Sequence, residues 1–328
     1  FSLYNLLSFW IINKFKKKLF FFLIDEPDGI RKLHKNSIFI IGGIFIASYL
    51  ILILFYSYYF ELETMLLITL ASLLVFIIGL FDDCFSLSAY FKLLIIAAII
   101  WVIISYNNEI RINYLYFSTF GKSLYLDNYS LFITTLCILL LINCFNLSDG
   151  INGLAAGISI IWTLFLCLYA SVDLKVILLP LILMLFLIFF SIYKNKFFLG
   201  DNGSLILPCF LGLMIIYIYN QNLKLNTNLI SVENIFILFM VPGVDMFRLF
   251  IERILKKQDP FKGDRNHLHH LLINRYSLKK TLLSYYSIML IFILIDSLEI
   301  LKSVYLILFY FIFYYLFIKF LTPKTEIS

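Results

Sequence analysis

Apolar runs long enough to cross a bilayer recur from one end of this chain to the other, separated by short polar breaks. A hydrocarbon core takes about 20 residues of helix to span. Within it, every backbone N–H and C=O must find its partner inside the segment or a closed barrel. Barrel strands run about 10 residues and alternate in hydropathy, and these runs do neither. The pattern predicts a partial helix at 1–12, then spans near 38–60, 65–81, 91–106, 129–145, 154–170, 176–193, 203–219, 230–251, 281–298 and 300–320. The expected fold is all-α: a polytopic integral membrane protein of about 11 transmembrane helices, forming one domain over 1–328. The first run ends near Ile12, too short to cross, so the first helix is expected to be truncated. The chain opens with no signal-peptide pattern.

Composition agrees. Of 328 residues, 62% are apolar and 14% charged, against about 45–50% and about 25% in soluble domains. The longest hydrophilic stretch, around 252–280, reads as a loop rather than a domain. Five cysteines (Cys84, Cys137, Cys144, Cys167, Cys209) form no Cys-x-x-Cys and read as small apolar core residues.

The net charge of +6 is topogenic rather than a nucleic-acid signal. Of the 26 Lys and Arg residues, only Arg111, Lys122, Lys175, Lys224 and Lys302 fall in the even-numbered loops. The remainder crowd the odd loops and the C-terminal tail, chiefly at 14–35 and 248–280. Cytoplasmic loops retain Lys and Arg. The odd loops and the C-terminus are therefore expected inside and the N-terminus outside, with anionic lipid contact secondary.

The unusual polar residues collect on those same odd loops. Asp82-Asp83 follows the third span; as repelling neighbours they suit a cation or base chemistry, or simply mark a helix end. Asn143, Asn146 and Asp149 recur every three residues at the end of the fifth span. If helical they make one polar stripe toward a metal or phosphate; the alternative is a plain Asp-Gly/Asn-Gly turn through Gly153. Gly200-Asp201-Asn202-Gly203-Ser204 offers a carboxylate for Mg²⁺ between glycines that let backbone N–H groups approach phosphate, or else a helix N-cap. Lys92 either snorkels or reaches a pyrophosphate, and Gly42-Gly43 permits close helix packing.

Three of the four histidines lie in His267-Leu268-His269-His270, beside Lys262, Asp264 and Arg265. Without cysteines nearby, phosphate or sugar contact suits them better than zinc. Pro242-Gly243 is expected to break or kink the ninth span, and Asp245, Arg248 and Glu252 beyond it share a helix face. Together the clusters supply what a Mg²⁺-bound diphosphate and an anionic nucleophile need. A transporter is the rival class, but transporters place ionisable residues near the membrane midplane, and here nearly all carboxylates sit at span ends. Glu233 and Asp245 come closest to exceptions.

Read in order, these motifs resemble the polyprenyl-phosphate N-acetylhexosamine-1-phosphate transferases (glycosyltransferase family 4). The match runs through Asp25-x-Pro27, Arg31-Lys32-x-His34, Gly42-Gly43, Phe81-Asp82-Asp83, Leu87-Ser88 and Lys92-Leu93. It continues with Asn143-x-x-Asn146-x-x-Asp149-Gly150-Ile151-x-Gly153-Leu154-Ala155-x-Gly157 and Gly200-Asp201-x-Gly203-Ser204. Pro242-x-x-Asp245-Met246 and Pro260-Phe261-x-x-Asp264-Arg265-x-His267-Leu268-His269-His270-Leu271 complete it. The last motif is more similar to the branch that transfers GlcNAc 1-phosphate to undecaprenyl phosphate, for O-antigen, enterobacterial common antigen or teichoic acid, than to the peptidoglycan branch.

The resemblance implies a ten- or eleven-helix bundle in the bacterial inner (plasma) membrane, usually homodimeric, with a lipid groove and a cytoplasmic active-site cleft. It implies a UDP-sugar and undecaprenyl phosphate as substrates, UMP as product, and Mg²⁺ as cofactor, with Mn²⁺ as the alternative. GlcNAc is the expected sugar; FucNAc, QuiNAc, GalNAc and MurNAc-pentapeptide are the alternatives. Asp82, Asp83, Asp149 and Asp201 become the catalytic candidates, Asp82 toward the lipid phosphate and Asp83 in support. Asp201 would bind the metal, with Asn146 or Asp149 nearby. Lys92, Asn146, Gly200, Ser204, Arg265, His267, His269 and His270 would hold substrate. Two positions depart from the pattern: Asn152 replaces an Asp common in bacterial members and is left out of catalysis, and Phe39 replaces a Pro common before Gly-Gly.

Overall fold

The computed structural model describes residues 1–20, 22–25, 37–227, 229–259 and 264–322. Each of the eleven expected spans is a helix. In order they are α1 (Ser2–Leu19), α2 (Gly42–Tyr59), α3 (Glu63–Phe85), α4 (Ala89–Tyr106), α5 (Ser130–Ser148), α6 (Leu154–Tyr169), α7 (Val172–Tyr193), α8 (Asp201–Leu225) and α9 (Val232–Leu255). A short α10 (Leu268–Arg275) precedes α11 (Leu278–Ser297) and α12 (Ser303–Leu321). Among the described residues nine helices are long and apolar enough to cross a membrane, and α6 is a shorter apolar helix of 16 residues. The protein is an all-α, multi-pass membrane protein.

The chain packs as two compact units. The first comprises Phe1–Ile112 and Asp127–Asn228. Its centre is α8, buried along nearly its whole length and packed on α2, α3, α5 and α6. Lipid gives helices no hydrophobic reason to associate, so close approach must come from small residues. Gly212 shows this: a Cβ there would lie 2.8 Å from Leu141 Cδ2 and 2.9 Å from Ile138 Cδ1, both on α5. The segment leading into α8 is laced to the start of α2. Phe198 N–H donates to Phe39 O (2.8 Å), Gly42 N–H to Phe198 O (3.0 Å) and Gly43 N–H to Leu199 O (3.2 Å). Two short antiparallel strands, β1 (Ile24–Asp25) and β2 (Ile38–Phe39), flank this lacing.

The second unit comprises Asn113–Leu126 and Leu229–Ser328. Here α9 packs on α11 and α12, and α10 packs on the same pair. An antiparallel hairpin, β3 (Tyr114–Phe117) and β4 (Lys122–Tyr125), is held to α9 by Glu233. Its carboxylate accepts Ser118 N–H (3.2 Å) and Thr119 N–H (3.1 Å). Asp296, also buried, accepts from Asn234 Nδ2 and Ser303 Oγ, both at 2.7 Å. Partnered in this way, both serve helix and hairpin packing.

Four expectations need correction. α9 runs unbroken through Pro242-Gly243; the proline removes one backbone bond from a 24-residue helix, and α7 and α8 likewise carry Pro180 and Pro208. The stretch 252–280 is not all loop, because α9 extends to Leu255 and α10 lies within it. α1 continues past Ile12 through the lysines to Leu19, since Lys is a good helix former. Only Cys144 and Cys209 are buried cysteines; Cys84 and Cys137 are exposed.

Candidate active site

In the first unit the site begins at the corner between α3 and α4. Ser86 ends α3 in the left-handed region (φ 53°), which turns the chain so that Leu87 N–H returns to Asp82 Oδ1 at 2.7 Å. Ser88 then caps α4 by accepting Phe91 N–H (3.4 Å). This tight reversal brings Lys92 back over Asp82, ten residues earlier. Its ammonium donates to Asp82 Oδ2 and lies 3.8 Å from Asp201 Oδ2. Asp82 is buried, so the pair works at reduced dielectric and holds Lys92 inside the cluster.

Successive helical residues point about 100° apart, so Asp83 faces elsewhere, onto the start of α8. Its Oδ1 accepts Asp201 N–H (2.9 Å); its Oδ2 accepts Asn202 N–H (2.9 Å) and the Asn202 side-chain amide. The N-cap of α8 is Gly200, which has no side chain to do this work and sits at φ 76°. Gly203 and Ser204 N–H return to Gly200 O at 3.0 and 2.8 Å. Asp83 therefore caps α8 from another helix, and its charge suits the positive helix end. The space at Gly200 and Gly203 is filled by Ile40 and Leu199.

Asn202 is the site residue that the motif's spacer position hid. It is fully buried, and Gly43 of α2 and Gly79 of α3 crowd against it. Replacing Asp83 with Asn is expected to remove one cap acceptor and cost about 1–2 kcal/mol. A lowered Tm in detergent together with lost activity is the signature, and an unchanged Tm would contradict the cap.

The end of α5 completes this group. Asn146 Nδ2 donates to Asp201 Oδ1 (2.5 Å) and Ser204 Oγ (2.7 Å), and Asp149 is the C-cap residue. Burial first, then the charges of Asp201 and Asp83, push the Asp149 carboxyl well above the ordinary carboxylate range. Asn152 bonds instead to Asn195 at the surface. Asp82 and Asp201 thus share the Lys92 ammonium, and Asp83 and Asp149 add their charges beside Asp201. Such an excess of negative charge suits a divalent cation. Among the described residues no three Asp, Glu, His or Cys side chains form a metal-binding group; the donors here are hard oxygens, the kind Mg²⁺ takes as one or two carboxylates plus phosphate oxygens and water. Asp201, Asp149 and Asn146 are the residues that could hold it.

The histidine cluster lies in the second unit. Asp245 of α9 accepts from His267 Nδ1 (2.8 Å), Tyr314 OH (2.6 Å), Arg248 (3.1 Å) and Leu268 N–H (3.1 Å). Arg248 also bonds Glu252 (3.4 Å), as the shared face predicts, and donates to Asn266 O (2.6 Å). Asp264 anchors the loop: Arg253 donates to its Oδ2 from both Nε (3.0 Å) and a terminal nitrogen (2.7 Å). Burial raises the Asp264 carboxyl, but Asn266 N–H and the Arg253 guanidinium outweigh it and hold it below its usual range. His267 and His269 are buried, His270 half-buried and Arg265 exposed. Burial, reinforced by His270, pushes His269 down to about 3, a neutral ring at physiological pH. Pro27, Arg31, Lys32, His34, Pro260, Phe261 and Lys262 lie outside the described residues.

The pattern of glycosyl transferase family 4 matches residues 65–219, which contain every element of the carboxylate cluster. A Bacillus subtilis protein named as a probable undecaprenyl-phosphate N-acetylglucosaminyl 1-phosphate transferase is 31% identical over 276 residues, covering 82% of this chain and 75% of the relative. The undecaprenyl-phosphate alpha-N-acetylglucosaminyl 1-phosphate transferase of Escherichia coli O157:H7 is 29% identical, covering 83% and 74%. That of Thermotoga maritima is 28% identical, covering 93% and 88%. With the family pattern over 65–219 and a relative of this identity over most of both chains, the protein belongs to glycosyl transferase family 4.

Proposed function

We propose that this enzyme transfers N-acetylhexosamine 1-phosphate, with GlcNAc 1-phosphate as the first choice, from a UDP-sugar to undecaprenyl phosphate, initiating a cell-surface polysaccharide. The observation that carries the reading is the gathering of Asp82, Asp83 and Asp149 about Asp201, with Lys92 between Asp82 and Asp201, at the ends of α3, α5 and α8. The names of the relatives supply the sugar and the lipid.

In this reading an oxygen of the lipid phosphate attacks the β-phosphorus in line. The bond from that phosphorus to the bridging oxygen breaks, and UMP leaves with the bridging oxygen. Lys92, held by Asp82, offsets phosphate charge, and Asp82 orients the lipid phosphate. Asp83 keeps α8 in place, so that Asp201 and Ser204 face Asn146. Mg²⁺ held by Asp201 with Asn146 or Asp149 would neutralise the diphosphate. Arg265 and the histidines would contact the sugar nucleotide. The positive-inside asymmetry supports a cytoplasmic active site and an inside C-terminus in the inner membrane, and a homodimer is the proposed assembly.

Membranes carrying the protein, given undecaprenyl phosphate, Mg²⁺ and a panel of UDP-sugars, should yield a lipid-linked GlcNAc diphosphate and stoichiometric UMP. Product from another UDP-sugar would change the sugar only. Transmembrane substrate flux with no lipid-linked product would overturn the enzyme reading in favour of transport.

A further inference from the structure

Asn152 and Phe39, the two positions at which the chain departs from the family pattern, reach the same short stretch of the first unit. The segment between α7 and α8 delivers Gly200 and Asp201. Within it, Phe198 gives its N–H to Phe39 O at 2.8 Å, and Asn195 accepts a hydrogen bond from the side-chain amide of Asn152. Asn195 stands in the left-handed region (φ 53°), in a turn closed by its own N–H to Ile192 O (2.9 Å) and by Lys196 N–H to Ser191 O (2.9 Å). Two residues on, Phe197 is fully buried against Phe45, with ring centroids 5.0 Å apart. The exposed amide of Asn195 thus projects from a segment whose backbone is fixed on both sides.

The turn that carries Asn152 is fixed as well. Ile151 before it is buried, Gly153 after it takes φ 92° to start α6, and Leu154 N–H returns to Ile151 O (3.1 Å). Asp149 ends α5 at the head of the same turn. The amide bridge therefore ties the turn that carries Asp149 to the segment that carries Asp201. Those two carboxylates repel each other. A cation held by both needs them close, and a neutral link between their two turns opposes the repulsion without adding charge.

We propose that Asn152 is a positioning residue: its amide bridge to Asn195 holds the Asp149 turn against the Asp201 segment, and so sets the affinity of that carboxylate pair for a divalent cation. The proposal rests on the metal site and reaction proposed above.

A bridge needs one donor and one acceptor, and a carboxylate only accepts. Asn195→Asp leaves Asn152 to donate. Asn152→Asp leaves the exposed Asn195 amide to turn over and donate. Either single variant keeps the bridge, whereas the two together set carboxylate against carboxylate and break it. Asn152→Ala breaks it with no change of charge. One hydrogen bond is worth about 2- to 10-fold in an equilibrium constant, which fixes the scale of the effects.

The experiment uses the full chain in nanodiscs, in about 0.3 M KCl to screen the added surface charge. Mn²⁺ is titrated in without substrate and bound ion is read by EPR, with Asp201→Asn as the baseline for adventitious ions. Lipid-linked product is then assayed at rising Mg²⁺, and melts in EDTA check that each variant is folded. Asn195→Asp and Asn152→Asp should bind Mn²⁺ within about 2-fold of the wild type. Asn152→Ala and the double variant should bind about 5-fold more weakly or worse. These two should need correspondingly more Mg²⁺ for half-maximal turnover, with kcat at saturating Mg²⁺ close to that of the wild type.

The proposal falls if the double variant loses only the product of the single losses, or if Asn152→Asp binds Mn²⁺ as weakly as Asn152→Ala. It also falls if Asn152→Ala loses turnover at every Mg²⁺ concentration with Mn²⁺ affinity intact, which is what a purely structural role would give. A gain in Mn²⁺ affinity above about 10-fold for Asn152→Asp would make position 152 a metal ligand and overturn the bridge. Mn²⁺ binding is read without turnover. Absence of lipid product with every UDP-sugar would therefore sink the reaction reading, while the comparison of variants still judges the bridge.

Discussion

Asp201→Asn is expected to reduce formation of lipid-linked sugar by about 100-fold or more, with the protein still accumulating in membranes and its Tm in detergent level or raised. The two halves of that expectation come from one geometry. Asp201 opens α8, its Oδ1 accepts from Asn146 (2.5 Å), and its Oδ2 lies 3.8 Å from Lys92. It is the carboxylate through which α4, α5 and α8 meet. Asparagine keeps the oxygen that Asn146 needs but removes a negative charge that repels Asp82, Asp83 and Asp149. Repulsion falls, so stability should hold or improve, while the capacity to hold a divalent cation and a diphosphate is lost. Activity unchanged at saturating Mg²⁺ would remove Asp201 from the metal site. A large fall in Tm would show it to be structural.

Gly43→Ala should do the reverse, lowering stability and activity together. A Cβ at Gly43 would lie 2.1 Å from Asn202 Oδ1 and 2.5 Å from Gly203 N. At Gly79 it would lie 2.6 Å from Asn202 Cα and 2.6 Å from Asp201 O. Most of these obstacles are backbone at the first turn of α8, so nothing can swing aside, and α2 or α3 must move off the helix that carries Asp201. Overpacking of this kind costs about 1–3 kcal/mol or more, and the displaced atoms are those of the site. Gly243 is the built-in control. A Cβ there meets nothing within 4 Å, so Gly243→Ala should be neutral or stabilising by up to about 1 kcal/mol. Thermal melts and product assays on Gly43→Ala, Gly79→Ala and Gly243→Ala separate the cases. Equal behaviour of Gly43→Ala and Gly243→Ala would refute the close-packing account.

Much of this was legible in the linear chain. Apolar length is a local property, and lipid permits few ways to satisfy a buried backbone, so every expected span is a helix. The motif residues Asp82, Asn146, Asp149 and Asp201 stood at span ends, where a polar side chain near the membrane needs a reason. Less visible was anything held by partners far along the chain. The hairpin Tyr114–Phe117/Lys122–Tyr125 has strands of four residues, too short for alternation to register, and depends on Glu233 more than a hundred residues on. Helix α10 hid in a polar stretch because its eight residues give barely two turns of periodicity.

The sequence by itself determined that the chain crosses a membrane many times as helices and carries its carboxylates at their ends, because hydropathy and helix length need no knowledge of neighbours. Only the tertiary structure decided what adjacent residues do with their chemistry. Asp82 and Asp83 are indistinguishable in sequence, yet the turn of one helical step sends one to Lys92 and the other to the bare N-terminus of α8. Asn202 reads as a spacer until three glycines are seen to make room for it. Asp245 and His267, 22 residues apart, become a pair only when α10 folds back on α9. Side-chain direction and long-range contact set these roles, and neither is written in local composition.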